Sequence, residues 1–189
     1  MSDKYQDLWH GSGRRQYVDG LIRNVPDFPE PGILFKDISP LLGDAKAFQI
    51  VLDALAESMW AGGIDAVVGI ESRGFIFGAA LASRLGIGFV PVRKPGKLPA
   101  AVDRVSYTLE YGSNTLEMHK DALRKGMGVA IVDDLLATGG TAAATAQLVG
   151  NQGAKVKLYA FVVELSFLKG REKLGDVPIV SLLEYGAGE

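Results

Sequence analysis

The stretch Gly128–Gln147, GVAIVDDLLATGGTAAATAQ, decides the fold. It opens on a short apolar run, Val129–Val132, bounded in the manner of a buried strand. Two carboxylates follow, Asp133 and Asp134, and then a turn of small residues, Ala137-Thr138-Gly139-Gly140-Thr141. The alanine-rich segment behind it has helix propensity, and Thr138 or Thr141 can cap it. The unit is therefore strand, acidic pair, hydroxyl-and-glycine loop, helix N-terminus. Unpaired N–H groups and a partial positive charge at that N-terminus suit a phosphate. Carboxylates beside a bare phosphate would repel it. They make sense if they accept hydrogen bonds from sugar hydroxyls or face a bound Mg²⁺. The stretch thus describes a sugar-phosphate site. It carries neither the Walker A spacing nor G-x-G-x-x-G.

Outward from this stretch the same unit recurs. Ile64–Ile70 reads as a buried strand, Glu71-Ser72-Arg73-Gly74-Phe75 as a polar loop, and the segment through Leu85 as a helix. Open α/β sheets bind ligands at such strand ends, where Arg73 can fork onto a phosphate. A surface ion pair is the plainer reading of a lone arginine. Ile87–Val92 is a further strand, running into Arg93-Lys94-Pro95-Gly96-Lys97. Three cations in five residues make either an anion-seeking loop or a solvated charged one. Ala100–Lys120 reads as a hairpin: Ser106–Tyr111 alternates, Gly112-Ser113-Asn114 turns, and Thr115–Lys120 alternates again. Such a ribbon can close over a site as a lid, with Glu110 near its tip. Lys155–Leu165 and Pro178–Leu183 are further strands, separated by a short polar helix or turn.

Towards the N-terminus, Asp44–Ala61 is a helix with a core-facing stripe of Phe48, Val51, Leu52, Leu55 and Met59. Val18, Leu21, Ile22 and Val25 fall at helical spacing, which predicts a short helix stopped by Pro26. Between them lies PDFPEPGILFKDISPLL, Pro26–Leu42, with too many prolines for regular structure to be expected. Its apolar residues fit either a loop packed on the core or the wall of a pocket, where Phe35 stacks on a flat ring.

The whole pattern predicts an α/β fold: a mostly parallel central sheet of roughly five strands flanked by helices. At 189 residues one domain is expected over 1–189, with a helix and hood over about 1–43 and a hairpin lid over about 98–120. The net charge of −2 gives no basic field for nucleic acid. There are no cysteines, and the two histidines, His10 and His119, are far apart in sequence, so no thiolate or histidine metal cluster is visible. No apolar run approaches a membrane span and no signal-peptide core is seen, so a cytoplasmic location is expected.

The string VDDLLATGGT resembles the phosphoribosyl-pyrophosphate (PRPP) motif of the type I phosphoribosyltransferases. PDFPEPGILFKDISP, ESRGF, RKPGKLP and YTLEYG occur with it in order, and the set resembles the members of that family that use adenine, from about Asp19 to Leu183. The resemblance implies the reaction adenine + PRPP ⇌ AMP + pyrophosphate with Mg²⁺, the ion held mainly by substrate, and a homodimer. It implies that Asp133 and Asp134 contact the ribose hydroxyls and that Ala137, Thr138, Gly139, Gly140 and Thr141 wrap the 5′-phosphate. Ser72, Arg73 and Lys97 would hold pyrophosphate with help from Arg93 and Lys94. Phe35 would stack on adenine while main-chain groups of Leu34 and Lys36 read its edge. Glu110 would hydrogen-bond or protonate the base near N7, with Tyr111 supporting the lid; Glu110, Arg73 and Lys97 are the expected catalytic residues. In that family the peptide matching Glu71–Ser72 can be cis. Another purine acceptor, or orotate, is the alternative within the class. A PRPP-binding regulator is the alternative outside it, disfavoured by the short stretch before Pro26, the missing basic recognition helix and the intact RKPGKLP.

Overall fold

The computed structural model describes residues 13–60, 63–108 and 113–189. Its centre is a five-stranded sheet built from β3 (Ala66–Ile70), β4 (Gly88–Val92), β7 (Gly128–Leu136), β8 (Lys155–Leu165) and β9 (Ile179–Tyr185). The spatial order is β4-β3-β7-β8-β9 and every pairing is parallel. That follows from the sequence: every residue of β3 and the first five of β7 are buried, as a sheet covered on both faces requires.

Successive side chains point to opposite faces and feed two cores. On one face Val67, Ala130 and Val132 pack with Val51 and Leu55 of α3 (Ala45–Met59) and with Phe77 and Leu81 of α4 (Arg73–Leu85). On the other, Val68 and Ile131 pack with Leu148 and Val149 of α5 (Gly140–Asn151). That second core also takes Val105 of β5 (Val102–Thr108) and Leu116 and Met118 of β6 (Ser113–His119). The base of the ribbon expected as a lid is thus core material. Helix α3 starts where predicted, with the Asp44 carboxylate accepting the Ala47 N–H at 2.8 Å. Among the described residues no helix is long and apolar enough to cross a membrane.

Three local expectations are corrected. The helix predicted from Val18 to Val25 is confined to α1 (Arg14–Asp19); Gly20 ends it. Arg23–Pro26 is instead strand β1, antiparallel to β2 (Leu34–Asp37), with Val25 opposite Phe35. The proline-rich segment therefore does hold regular structure: β2, and the short helix α2 (Ser39–Gly43) with Pro40 in its first turn. In the hairpin, Ser113 and Asn114 pair with Thr108 and Tyr107, so they belong to β6 and not to the turn expected at Gly112-Ser113-Asn114. Strand β5 begins at Val102, within the Ala100–Lys120 segment expected as a hairpin.

Candidate active site

The polar loops converge at the C-terminal ends of three adjacent strands, β4, β3 and β7. Strand β7 runs through the acidic pair, with Asp133 opposite Phe161 of β8. Asp134 is buried and its Oδ2 lies 2.8 Å from Nε of Arg73, the first residue of α4. The loops from β3 and β7 are thereby joined by an ion pair. Asp133 accepts the Asp134 N–H at 2.9 Å. Burial raises the Asp133 carboxyl well above the usual carboxylate range, and the adjacent Asp134 charge adds to it. Gly74 makes this approach possible: a Cβ there would stand 2.7 Å from Asp133 Oδ1.

Helix α5 is capped by Gly139 at φ 76°, with no side-chain cap, so neither Thr138 nor Thr141 fills that expected role. Thr141 Oγ1 instead lies 3.0 Å from the Tyr107 hydroxyl on β5. A Cβ on Gly139 would overlap the carbonyl oxygen of Gly170, and one on Gly170 would overlap that of Ala137. The Ala137–Thr141 loop is thus wedged between the hairpin and the 3₁₀ turn Gly170–Lys173 that follows β8. That turn is fixed by Arg171, which forks onto the buried Glu164 with two 2.6 Å bonds.

The Glu71–Ser72 peptide is cis. Glu71 accepts from Nε of Arg93 at 2.8 Å, so the β3 and β4 loops are also joined. Arg93 Nη1 donates to the Lys97 carbonyl at 3.1 Å. Lys94 and Lys97 are exposed and enter no ion pair among the described residues.

On the hood, the Phe35 ring meets the edge of Phe28 with centroids 5.1 Å apart, and the Arg73 guanidinium lies 5.4 Å from its centroid. Among the described residues β2 pairs only with β1, in a two-stranded sheet that leaves the other edge of β2 without a strand partner. The Lys36 side chain turns elsewhere. It is buried, donates to Asn24 Oδ1 at 2.8 Å and to the Glu189 carbonyl at 2.7 Å, and stands 3.7 Å over the Tyr185 ring. A polar cleft around it is lined by Arg15, Asp19 and Glu184 and by none of the strand-end loops. Glu110 and Tyr111 lie outside the described residues.

The residues brought together are therefore Phe35, Ser72, Arg73, Arg93, Asp133, Asp134 and the Ala137–Thr141 loop. Sequence reasoning missed Phe28, Glu71, Tyr107 and Gly170. ESRGF and YTLEYG contain Glu71 and Tyr107, but a long-range partner gives no local signal.

Hard oxygen donors suit Mg²⁺, which commonly takes one or two carboxylates and completes its shell with substrate phosphates and water. Asp133 and Asp134, at the mouth of the phosphate loop, fit that pattern. Among the described residues no group of three or more His, Cys, Asp or Glu gathers as a metal cage.

Comparison with known proteins agrees with this geometry. The family model for the phosphoribosyl transferase domain matches residues 42–177. The adenine phosphoribosyltransferase of Sorangium cellulosum (strain So ce56) is 60% identical over 179 residues, 92% of this chain and 90% of its own. The crystal structure of adenine phosphoribosyltransferase from Thermoanaerobacter pseudethanolicus superposes with a TM-score of 0.88 at 52% identity, covering 90% of this chain and 99% of its own. The Saccharomyces cerevisiae enzyme, complexed with an imino-altritol bisphosphate and adenine, gives 0.85 at 46%, again over 90% and 99%. With strand-end loops, acidic pair and hood in the arrangement just described, the chain belongs to the adenine phosphoribosyltransferase family.

Proposed function

We propose that this chain transfers the 5-phosphoribosyl group of PRPP to adenine, releasing pyrophosphate and forming AMP, as a purine-salvage enzyme. The observation that carries the reading is the Arg73–Asp134 ion pair beneath Phe35. It brings a cation for the leaving group, a carboxylate for the sugar and an aromatic face for the base to one point.

Breaking the C1–pyrophosphate bond builds positive charge on the ribose and negative charge on the leaving group. Arg73 has five N–H donors and commits Nε to Asp134, so the rest of its fork can reach pyrophosphate oxygens. Ser72 and Lys97 add donors, with Arg93 and Lys94 raising the local positive potential. Asp133 and Asp134 accept from the ribose hydroxyls and keep C1 in line with the base. Gly139, Gly140 and the Thr138 and Thr141 hydroxyls, at the N-terminus of α5, hold the 5′-phosphate. Phe35 stacks on adenine, and the main chain at Leu34 and Lys36 reads its edge. Glu110 holds a proton near N7, and closure of the hairpin excludes water from the developing oxocarbenium centre. Mg²⁺, held mainly by the substrate's phosphates with Asp133 and Asp134 as the nearest carboxylates, would supply further positive charge to the leaving pyrophosphate.

A homodimer is supported by the exposed Ile76 on α4, within the apolar stretch that follows Arg73. A cytoplasmic setting accords with phosphorylated substrates that do not cross membranes. The test is product formation from PRPP, Mg²⁺ and each purine base in turn. Faster turnover of hypoxanthine than of adenine would overturn the acceptor, and PRPP binding without AMP formation would mark a regulator. Glu110→Ala is expected to lower turnover with little loss of PRPP affinity; normal turnover would remove its role.

A further inference from the structure

Glu117 is a charged residue buried to 1% exposure in the middle of β6. A carboxylate so placed is costly unless every lone pair is used. Here each of its two oxygens accepts a hydrogen bond. Its Oε1 accepts from Nε of Arg104 at 2.6 Å, and its Oε2 accepts the Gly96 N–H at 3.0 Å. Its main chain pairs with Arg93 in both directions, Arg93 N–H to Glu117 carbonyl at 2.9 Å and Glu117 N–H to Arg93 carbonyl at 2.7 Å. One residue of the hairpin therefore grips both ends of the turn Arg93–Gly96, where Gly96 takes φ 74°.

A turn that crowds Arg93, Lys94 and Lys97 repels itself and would splay if left alone. Glu71 restrains it from one side through the Arg93 side chain, and Glu117 from the other through the main chain. We propose that Glu117 is the positioning residue of the anion loop. It holds the turn in shape before substrate arrives, so that Lys97 and the loop's N–H groups meet pyrophosphate without reorganising, and it makes the hairpin and the loop one mechanical unit. This rests on the reading of Arg93–Lys97 as a pyrophosphate site.

Two conservative variants separate reach from charge. Glu117→Gln keeps an oxygen at the same distance for the Gly96 N–H, and the exposed Arg104 can turn to solvent. Glu117→Asp keeps the charge but is one methylene too short to span Gly96 and Arg104. We expect Glu117→Asp to raise KM for PRPP and, in the reverse reaction, for pyrophosphate by about ten-fold, the scale of one charge-assisted hydrogen bond. KM for adenine and AMP should stay within about two-fold, and Glu117→Gln should resemble the wild type in all four. A Glu117→Asp variant that alters all four constants alike, or only the melting temperature, would overturn the proposal, as would a Glu117→Gln variant equally impaired. Lys97→Ala is measured alongside. If it leaves the pyrophosphate KM unchanged, the loop reading itself fails. If it raises that KM and Glu117→Asp does not, the role of Glu117 alone is refuted.

Discussion

Arg73 Nε and Asp134 Oδ2 stand 2.8 Å apart, joining a residue expected to bind pyrophosphate to one expected to bind ribose. Asp134 is nearly inaccessible while the Arg73 side chain is 37% exposed, so the aspartate depends on the pair far more than the arginine does. Removing the arginine leaves a buried charge uncompensated. Arg73→Gln should cost about 1–3 kcal/mol in urea unfolding, and the Arg73→Gln/Asp134→Asn double variant less than the sum of the singles. The same cycle run on KM for PRPP should show coupling of about 1 kcal/mol or more. Asp134→Asn should weaken PRPP binding more than adenine binding. Independent effects on PRPP would separate the leaving-group and sugar sites.

Asp133 is a case of stability given up for function. Its carboxyl is held protonated to higher pH in the folded chain than in the unfolded one, by burial and then by the Asp134 charge. Between the two pKa values the unfolded state has lost a proton that the folded state keeps, so stability falls as pH rises and is level above the folded pKa. Asp133→Asn abolishes that loss. Its melting temperature should exceed the wild type by about 2–4 °C at neutral pH, a gap that opens above about pH 4 and then becomes constant. Its KM for PRPP should rise by about ten-fold or more, the value of a hydrogen bond to a charged acceptor. A pH-independent gap would refute the titration of Asp133 as its cause.

Gly139 and Gly170 form a back-to-back contact with no room for a methyl group on either side. Gly139 also needs its positive φ to cap α5. Gly170→Ala isolates the contact. It should push the turn away from Ala137, destabilise the fold by about 1–3 kcal/mol, and raise KM for PRPP while sparing that for adenine. Gly139→Ala should do the same more severely, since it adds backbone strain. An equal rise in the adenine KM would mean that the loop and the hood do not move separately.

Much of this was legible because the signals are local. The apolar runs Val129–Val132 and Lys155–Leu165 are strands, and Asp44 caps its helix from the position that its type favours. Leu21, Ile22 and Val25 misled because helical spacing alone does not make a helix: Gly20 ends α1, Leu21 and Ile22 lie in the turn behind it, and Val25 pairs with Phe35 in β1. The proline-rich segment misled because Pro26 sits at the end of β1 and Pro40 in the first turn of α2, two places that tolerate proline. The site residues with motif neighbours were readable. Glu71, Tyr107, Glu117 and Gly170 were not, because each acts through a partner at least 21 positions away in the chain.

Lys36 shows how the hood is held to the body. Its ammonium spans Asn24 of β1, the Glu189 carbonyl and the face of Tyr185 on β9, and burial lowers its pKa. Tyr185 in turn donates to Asp19 of α1 at 2.5 Å. The Lys36–Tyr185 contact ties β2, which carries Phe35, to the last strand of the sheet, the Tyr185–Asp19 bond ties α1 to that same strand, and neither touches the strand-end loops. Lys36→Met keeps the length of the side chain while removing its donors and its cation–π contact, leaving the Asn24 and Glu189 oxygens without this partner. The expected cost is about 1–2 kcal/mol of stability. In kinetics the hood should loosen alone, so KM for adenine rises about three- to ten-fold while KM for PRPP stays within about two-fold, consistent with one lost anchoring contact. Should PRPP binding weaken in parallel, the Arg73–Phe35 contact would be transmitting hood movement into the phosphate half of the site, and a further Phe35→Leu change in the Lys36→Met background should then restore the PRPP constant.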